Sequence, residues 1–225
     1  MRSLLFTPGS PFARAVRIVL DELGLDYERR EENAAPGATE TPTLQVPTFR
    51  DNALVLWESG TIAEYLMATY PHRPESALPL SDHMFRPGME WQDKLVFSTI
   101  QTLGTAATTI SQMTWTGVTV ADNRHLQRSA LKMMHILDWL EARLDDAETG
   151  FQPGTVSAQD IFFAAHVRFV QARPLGIALE LDRVPKIRAL LDRLDARASF
   201  VANPVWWWEP GVVGYEADGT PVFET

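Results

Sequence analysis

The hydrophobic periodicity of this chain changes character once, across residues 71–81, where Pro71, Pro74 and Pro79 interrupt every regular pattern. Before that point strand-like and helix-like segments alternate. After it, from about residue 82 to 202, every readable segment has helical spacing. A chain of 225 residues with this pattern predicts a small mixed α/β unit followed by an all-helical one.

The first unit can be read element by element. Residues 2–7 form a short apolar run that ends at Pro8-Gly9, as a buried strand does. Phe12, Ala15, Val16, Val19, Leu20 and Leu23 then recur at steps of three and four. Ser10 stands at the N-cap, Pro11 at N1 and Gly24 just past the end, so both helix boundaries are signalled. Arg17 and Asp21 are one turn apart on the opposite face, and Arg14 reads as a solvated helix residue. Tyr27 to Glu31 is a charged second strand near an edge, closing a right-handed βαβ unit. Residues 32–45 have no clear period. Pro47-Thr48-Phe49-Arg50 and Ala53-Leu54-Val55-Leu56-Trp57 flank Asp51-Asn52 as a hairpin, and Ser59 to Tyr70 is a helix stopped by Pro71.

In the second unit, Leu126, Ala130, Met133, Leu137, Leu140 and Leu144 make a bundle stripe, and Ile187, Leu190, Leu191 and Leu194 make another after Pro185. Ser157-Ala158-Gln159-Asp160 fits a capping box, with Val156 and Ile161 at the staple positions, a structural signal. The domain limits we place are 1–76, a linker 77–86, the helical unit 87–203 and a Trp-rich tail 204–225.

Composition narrows the chemistry. The chain has no cysteine, so disulfides, thiolate metal sites and a cysteine nucleophile are excluded, and any reactive thiol must arrive with a substrate. A formal net charge of −9 argues against nucleic-acid binding. The five histidines lack metal-ligand spacing, no metal is expected, and they read as surface or satisfied core residues. The N-terminal apolar run is too short for a signal peptide and no stretch approaches membrane-spanning length, so the expected compartment is the cytoplasm.

Three pieces of the first unit are candidates to meet in space: Ser10 at the start of the first helix, Val46-Pro47 before the third strand, and Glu58-Ser59 at the start of the next helix. Helix N-termini present unpaired amides and the positive end of a dipole, which suits a carboxylate or thiolate. A cis Pro47 would turn the preceding backbone outward to pair with an extended ligand.

The arrangement Ser10-Pro11-Phe12-Ala13-Arg14, then Val46-Pro47-Thr48, then Glu58-Ser59-Gly60-Thr61-Ile62-Ala63-Glu64-Tyr65-Leu66 resembles the cytosolic glutathione transferases, and the serine at position 10 resembles their bacterial serine-type members. The capping box Ser157 to Asp160 is similar to one those proteins carry early in their helical domain. The resemblance covers roughly residues 1–203. It implies an α/β thioredoxin-like N-terminal domain plus an all-α C-terminal helical bundle domain, a homodimer, and glutathione as co-substrate. It assigns the Val46 backbone to the cysteinyl part of glutathione, Glu58 to the γ-glutamyl amino group, Ser59 to its carboxylate, and the Ser10 hydroxyl to the sulfur. A free thiol has a pKa of about 8.5, so a hydroxyl donor beside a helix N-terminus would raise its thiolate fraction.

One departure stands out. The family often has Asn-Pro-x-Gly-Lys before Val-Pro; this chain has Thr41-Pro42-Thr43-Leu44-Gln45, and Gln45 can hydrogen-bond a glycyl carboxylate without neutralising it. Ser10 also has a cap-only reading, with Thr7 or Ser3 as alternative activators. Phe12, Trp91, Met113 and Trp115, with Phe97, are candidates to line an apolar substrate pocket, although most residues at such spacings are core. Trp206-Trp207-Trp208 cannot all face one core; a tail packing back onto the bundle is the favoured reading, covering the cleft or a dimer contact the other. The functional expectation is an enzyme that activates the glutathione thiol for attack on an electrophilic, largely apolar small molecule. Glutathione-dependent isomerisation or peroxide reduction would use the same domain. The expectation from another class is a non-catalytic binding or dimerisation module, toward which Gln45 leans.

Overall fold

The computed structural model describes residues 1–31, 41–70, 78–146, 149–207, 212–215 and 221–223. Strand β1 (Arg2–Phe6) leads into helix α1 (Pro11–Glu22), and β2 (Glu28–Glu31) returns parallel to β1. The hairpin β3 (Thr48–Asp51) and β4 (Leu54–Trp57) completes a four-stranded sheet in the order β2-β1-β3-β4, followed by α2 (Ser59–Thr69). This is the mixed sheet expected from the residues. β2 is the charged edge strand and is largely exposed, whereas Leu4, Phe6 and Phe49 in the two central strands are fully buried.

Two details differ from the sequence expectation. The two-residue turn is Asn52-Ala53, with Asn52 at φ 53°, and Asp51 belongs to β3 opposite Leu54. Asp51 accepts hydrogen bonds from the Tyr65 hydroxyl (3.0 Å) and from the Tyr70 hydroxyl, so the strand end is tied to α2. In α1, Arg14 and Arg17 are not solvated, whereas Asp21 on the same side of the helix is exposed. Arg14 and Arg17 are buried, Arg17 lies over the Phe6 ring at 4.8 Å, and Asp21 accepts from the Asn203 side chain (2.6 Å).

The helical part comprises α3 (Glu90–Trp115), α4 (Arg124–Glu141), α5 (Ala158–Gln171), α6 (Pro185–Asp195) and the short α7 (Ala198–Ala202). Helix α5 is buried on nearly all sides because it packs against both α1 and α3, as a helix apolar around its circumference must. Its start has both bonds of the expected capping box: the Ser157 side chain accepts from the Asp160 amide (3.2 Å), and Asp160 accepts from the Ser157 amide (2.7 Å). Asp160 also accepts from the Phe151 amide (2.9 Å), so the box anchors the preceding loop as well. The expected stripes of α4 and α6 face inward, with Met133, Leu137, Leu140, Ile187, Leu190, Leu191 and Leu194 fully buried.

Of the proline-containing stretch, residues 71–77 lie outside the described residues. Pro79 to Ser81 is pinned to the approach to α5, through Val156 N to Pro79 O (2.8 Å) and Ser81 N to Val156 O (2.7 Å). Two side-chain amides, of Gln152 and Gln159, donate to the Met84 carbonyl. The segment before α3 is therefore packed structure. The tail adds a strand pair, β5 (Val212–Tyr215) and β6 (Pro221–Phe223), that the sequence reading does not include.

Candidate functional site

The sheet register brings the three candidate pieces to one end of the molecule. Leu5 of β1 pairs with Thr48 of β3, and Thr48 pairs with Trp57 of β4. The C-terminal end of β1, the N-terminal end of β3 and the C-terminal end of β4 therefore lie side by side. The loop leading to Ser10, the Val46-Pro47 pair and the Glu58-Ser59 pair all emerge there. Both α1 and α2 point their N-termini at this edge, and their unpaired amides make it a local anion-favouring surface on an acidic chain.

Each member has a distinct environment. Ser10 is buried and caps α1, its hydroxyl oxygen accepting from the Ala13 amide (3.3 Å). That bond uses a lone pair, and the hydroxyl proton remains available as a donor. The Val46–Pro47 peptide is cis. Val46 is half-buried and Gln45 is exposed. Glu58 is exposed and holds φ 64° and ψ 111°, outside the regions a side chain favours, and it gives α2 no side-chain cap. Such a backbone costs on the order of 1–3 kcal/mol and recurs at ligand clamps. Ser59 is therefore the first helical residue, not the cap, and among the described residues its hydroxyl has no hydrogen-bond partner. An exposed carboxylate, a free hydroxyl and the first amides of α2 thus share one short segment.

The helical part supplies the floor. Gly60 lies so close to α3 that a Cβ there would sit 2.8 Å from the Phe97 ring. One turn on, Gln101 Oε1 is 3.2 Å from Nε2 of His166 in α5. The His166 ring meets Phe12 of α1 edge-on, with centroids 4.6 Å apart. A continuous line of contacts, Gly60, Phe97 and Gln101, His166, Phe12, thus joins the starts of α2 and α1 through the helical bundle. His166 is fully buried and, among the described residues, its Nδ1 has no hydrogen-bond partner, so it fits neither the expected surface nor the expected satisfied core histidine. Burial lowers its pKa to about 3, so the ring is neutral in the native protein.

The remaining pocket candidates separate. Phe12 is half-buried at the site, and Met113 is half-buried against the core. Phe97 is buried between Phe85, Phe162 and Gly60. Trp91 is 79% exposed with its ring beside Lys94, and Trp115 is 42% exposed near the end of α3. Trp91 stands on the first turn of α3.

Sequence reasoning missed His166, Gln101 and Arg173. Arg173, buried just past α5, donates to the Gly9 carbonyl (3.3 Å) and the Trp206 carbonyl (2.6 Å), tying the Ser10 loop to the tail. Its guanidinium also lies 5.4 Å from the Trp207 ring, so the tail is held to the bundle by the Trp206 backbone and the Trp207 ring, while the Trp206 indole is exposed; Trp208 lies outside the described residues. No local pattern marks these residues, because each acts on elements distant in the chain. Among the described residues no cluster of three His, Asp or Glu is placed to hold a metal, and no helix is long and apolar enough to cross a membrane.

Comparison with known proteins agrees with this architecture. Residues 4–74 match the family described as glutathione S-transferase, N-terminal domain. Glutathione S-transferase D7 of Anopheles gambiae is 26% identical over 198 residues, covering 84% of each chain. The stringent starvation protein A homolog of Haemophilus ducreyi is 37% identical over 78 residues, 32% of this chain and 36% of that one. A glutathione S-transferase of Methylobacterium radiotolerans, solved with glutathione sulfonate, superposes with a TM-score of 0.71 at 23% identity, covering 90% of this chain and 93% of its own. A glutathione transferase family member of Pseudomonas fluorescens Pf-5, solved with glutathione, gives 0.73 at 17% identity, covering 92% and 100%. Residues 4–74 thus match the glutathione S-transferase N-terminal domain family, and the whole chain, sheet unit and helical bundle together, has the fold of the solved glutathione transferases.

Proposed function

We propose that this protein is a glutathione transferase that binds glutathione at the shared end of the sheet and activates its thiol for attack on an electrophilic, largely apolar small molecule. The observation that carries the reading is the start of α2, where an exposed Glu58 at φ 64° precedes a Ser59 hydroxyl that has no hydrogen-bond partner among the described residues. Glu58 suits the ammonium of the γ-glutamyl end. The Ser59 hydroxyl and the helix N-terminus suit its carboxylate. Val46 offers backbone groups to the cysteinyl part, Pro47 shapes that approach, and Gln45 is an exposed donor for the glycyl carboxylate. The Ser10 hydroxyl proton, left free by the cap bond, is the donor proposed for the thiolate. The relatives named above support this reading, two of the solved ones holding glutathione or its sulfonate. The domain limits 1–76 and 87–203, a homodimeric assembly and a cytoplasmic location belong to the same proposal.

Calorimetric titration with reduced glutathione tests it. Saturable binding in the millimolar range or tighter is expected, weakened about tenfold, or 1.4 kcal/mol, in Ser59→Ala. Ser10→Ala should keep most of that affinity but lower turnover and the thiolate absorbance of bound glutathione. Absence of glutathione binding would overturn the reading. One observation favours a second reading, a non-catalytic binding module: Ser10 is only 2% exposed and already occupied as a cap. Binding with unchanged thiol ionisation in Ser10→Ala would select it.

A further inference from the structure

The side-chain amide of Gln101 stands between α5 and the first turn of α2. Gln101 is half-buried on α3, and its Oε1 lies 3.2 Å from Nε2 of the fully buried His166. An amide oxygen can only accept, so the imidazole proton sits on Nε2 and Nδ1 keeps a bare lone pair. The surroundings of Nδ1 agree, since it is buried with no hydrogen-bond partner among the described residues. An unpaired acceptor is tolerated there more readily than an unpaired N–H. Phe12, Phe162 and the close backbone at Gly104 hold the ring in place, so the ring in turn fixes the amide.

With Oε1 on His166, the amide nitrogen is turned toward α2. Gln101 Nε2 lies 3.7 Å from where a Cβ on Gly60 would stand, an approach that the missing side chain permits. Unlike His166 Nδ1, this nitrogen is not sealed from solvent, and it has no hydrogen-bond partner among the described residues. The preceding residue, Ser59, is only 4% exposed, and its hydroxyl is likewise without a partner among the described residues. Two donors without acceptors, one from each part of the molecule, therefore flank the unpaired amides that open α2. A carboxylate, with two oxygens and room for several donors, matches that set.

We infer that Gln101 is a specificity-determining residue of the proposed glutathione site: its amide donates to the γ-glutamyl carboxylate beside Ser59, and His166 is the positioning residue that holds it there. The inference rests on the glutathione reading above and adds to it a contact from the helical part. A donor fixed in this orientation favours a carboxylate over the corresponding carboxamide, which is neutral and has only one accepting oxygen.

Titration of the full chain by NMR, with glutathione and with the analogue whose γ-glutamyl α-carboxylate is a carboxamide, tests this. Gln101→Glu keeps the side chain's size and an acceptor for His166 but sets an oxygen where the amide nitrogen was. It should weaken glutathione binding roughly tenfold or more, and narrow the preference for glutathione over the carboxamide by a similar factor. Gln101→Leu, which removes both bonds, should weaken glutathione about tenfold and the carboxamide less, and either variant carries the test if the other does not fold. A purely structural role would weaken both ligands equally; that result, or an unchanged preference in Gln101→Glu, would overturn the inference. Nitrogen NMR of the labelled imidazole should place the His166 proton on Nε2, and a proton on Nδ1 would remove its positioning role. If the wild type binds no glutathione, the glutathione reading itself fails; binding with an unchanged preference in the variants sinks Gln101 alone.

Discussion

Two fully buried titratable residues, His166 and Asp160, pull stability in opposite directions as acid is added. Burial holds the His166 pKa at about 3, below its ordinary 6.5. Its contribution is complete above pH 6.5 and is lost as pH falls toward 3, because the unfolded chain takes up a proton that the native ring refuses. Asp160 is raised to about 6 from 3.8 because burial outweighs the hydrogen bonds from Ser157 and Phe151. Its contribution is complete below pH 3.8 and is lost as pH rises through 6. Between pH 4 and 6 the two effects offset. We expect the stability of His166→Gln, relative to wild type, to grow about tenfold in folding equilibrium per unit of acidification in that window. Asp160→Ala should lose ground by a similar slope. Urea unfolding from pH 4 to 7 reads both, and parallel pH profiles for wild type and His166→Gln would refute the assignment.

At the scale of elements, the close approach of α3 and α5 is set by one glycine. A Cβ on Gly104 would lie 2.6 Å from Cε1 and Nε2 of His166, and the ring, packed against Phe12 and Phe162, has no room to retreat. Gly104→Ala should cost about 1–3 kcal/mol by overpacking. Because His166 also meets Phe12, the strain should reach the start of α1 and weaken the proposed glutathione site. Trimming the ring in the double variant Gly104→Ala/His166→Ala should recover part of the loss. Strict additivity of the two single variants in denaturant titrations would show that the contact does not limit the packing. The capping box at Ser157 was legible beforehand because every bond in it is local. The Gly104–His166 contact was not, since residues 62 positions apart leave no shared spacing to read.

At the scale of the whole molecule, the sheet unit and the bundle are joined by a largely shielded ion pair. Arg197, between α6 and α7, donates to both carboxylate oxygens of Glu22 at the end of α1, at 2.9 and 2.6 Å, and to the Leu78 carbonyl at 3.0 Å. Ser199 donates to the same carboxylate. The two side chains are only 15% and 9% exposed, so removing one partner strands a charge. Arg197→Met should lower the unfolding free energy by about 3–5 kcal/mol, and adding Glu22→Gln should restore part of it. A loss below about 1 kcal/mol in equilibrium denaturation would mean that apolar contacts alone hold the two parts together.

The sequence by itself determined what short-range physics controls: the strand and helix order of the first unit, the boundaries of α1 at Ser10, Pro11 and Gly24, the capping box at Ser157, and the inward stripes of α4 and α6. It also marked Ser10, Val46-Pro47 and Glu58-Ser59 as helix starts and a strand approach able to meet, while their proposed assignment to glutathione, and that of Gln45, rests on the family resemblance. Only the tertiary structure decided which charges are buried. Arg14 and Arg17 read as solvent-facing on a helical wheel, yet the segment around Phe200 and Asn203 folds over that face. Burial of His166, exposure of Trp91 and the clamp of Arg173 on Gly9 have the same origin. Each depends on which distant element arrives opposite a residue, and local spacing holds no record of that neighbour.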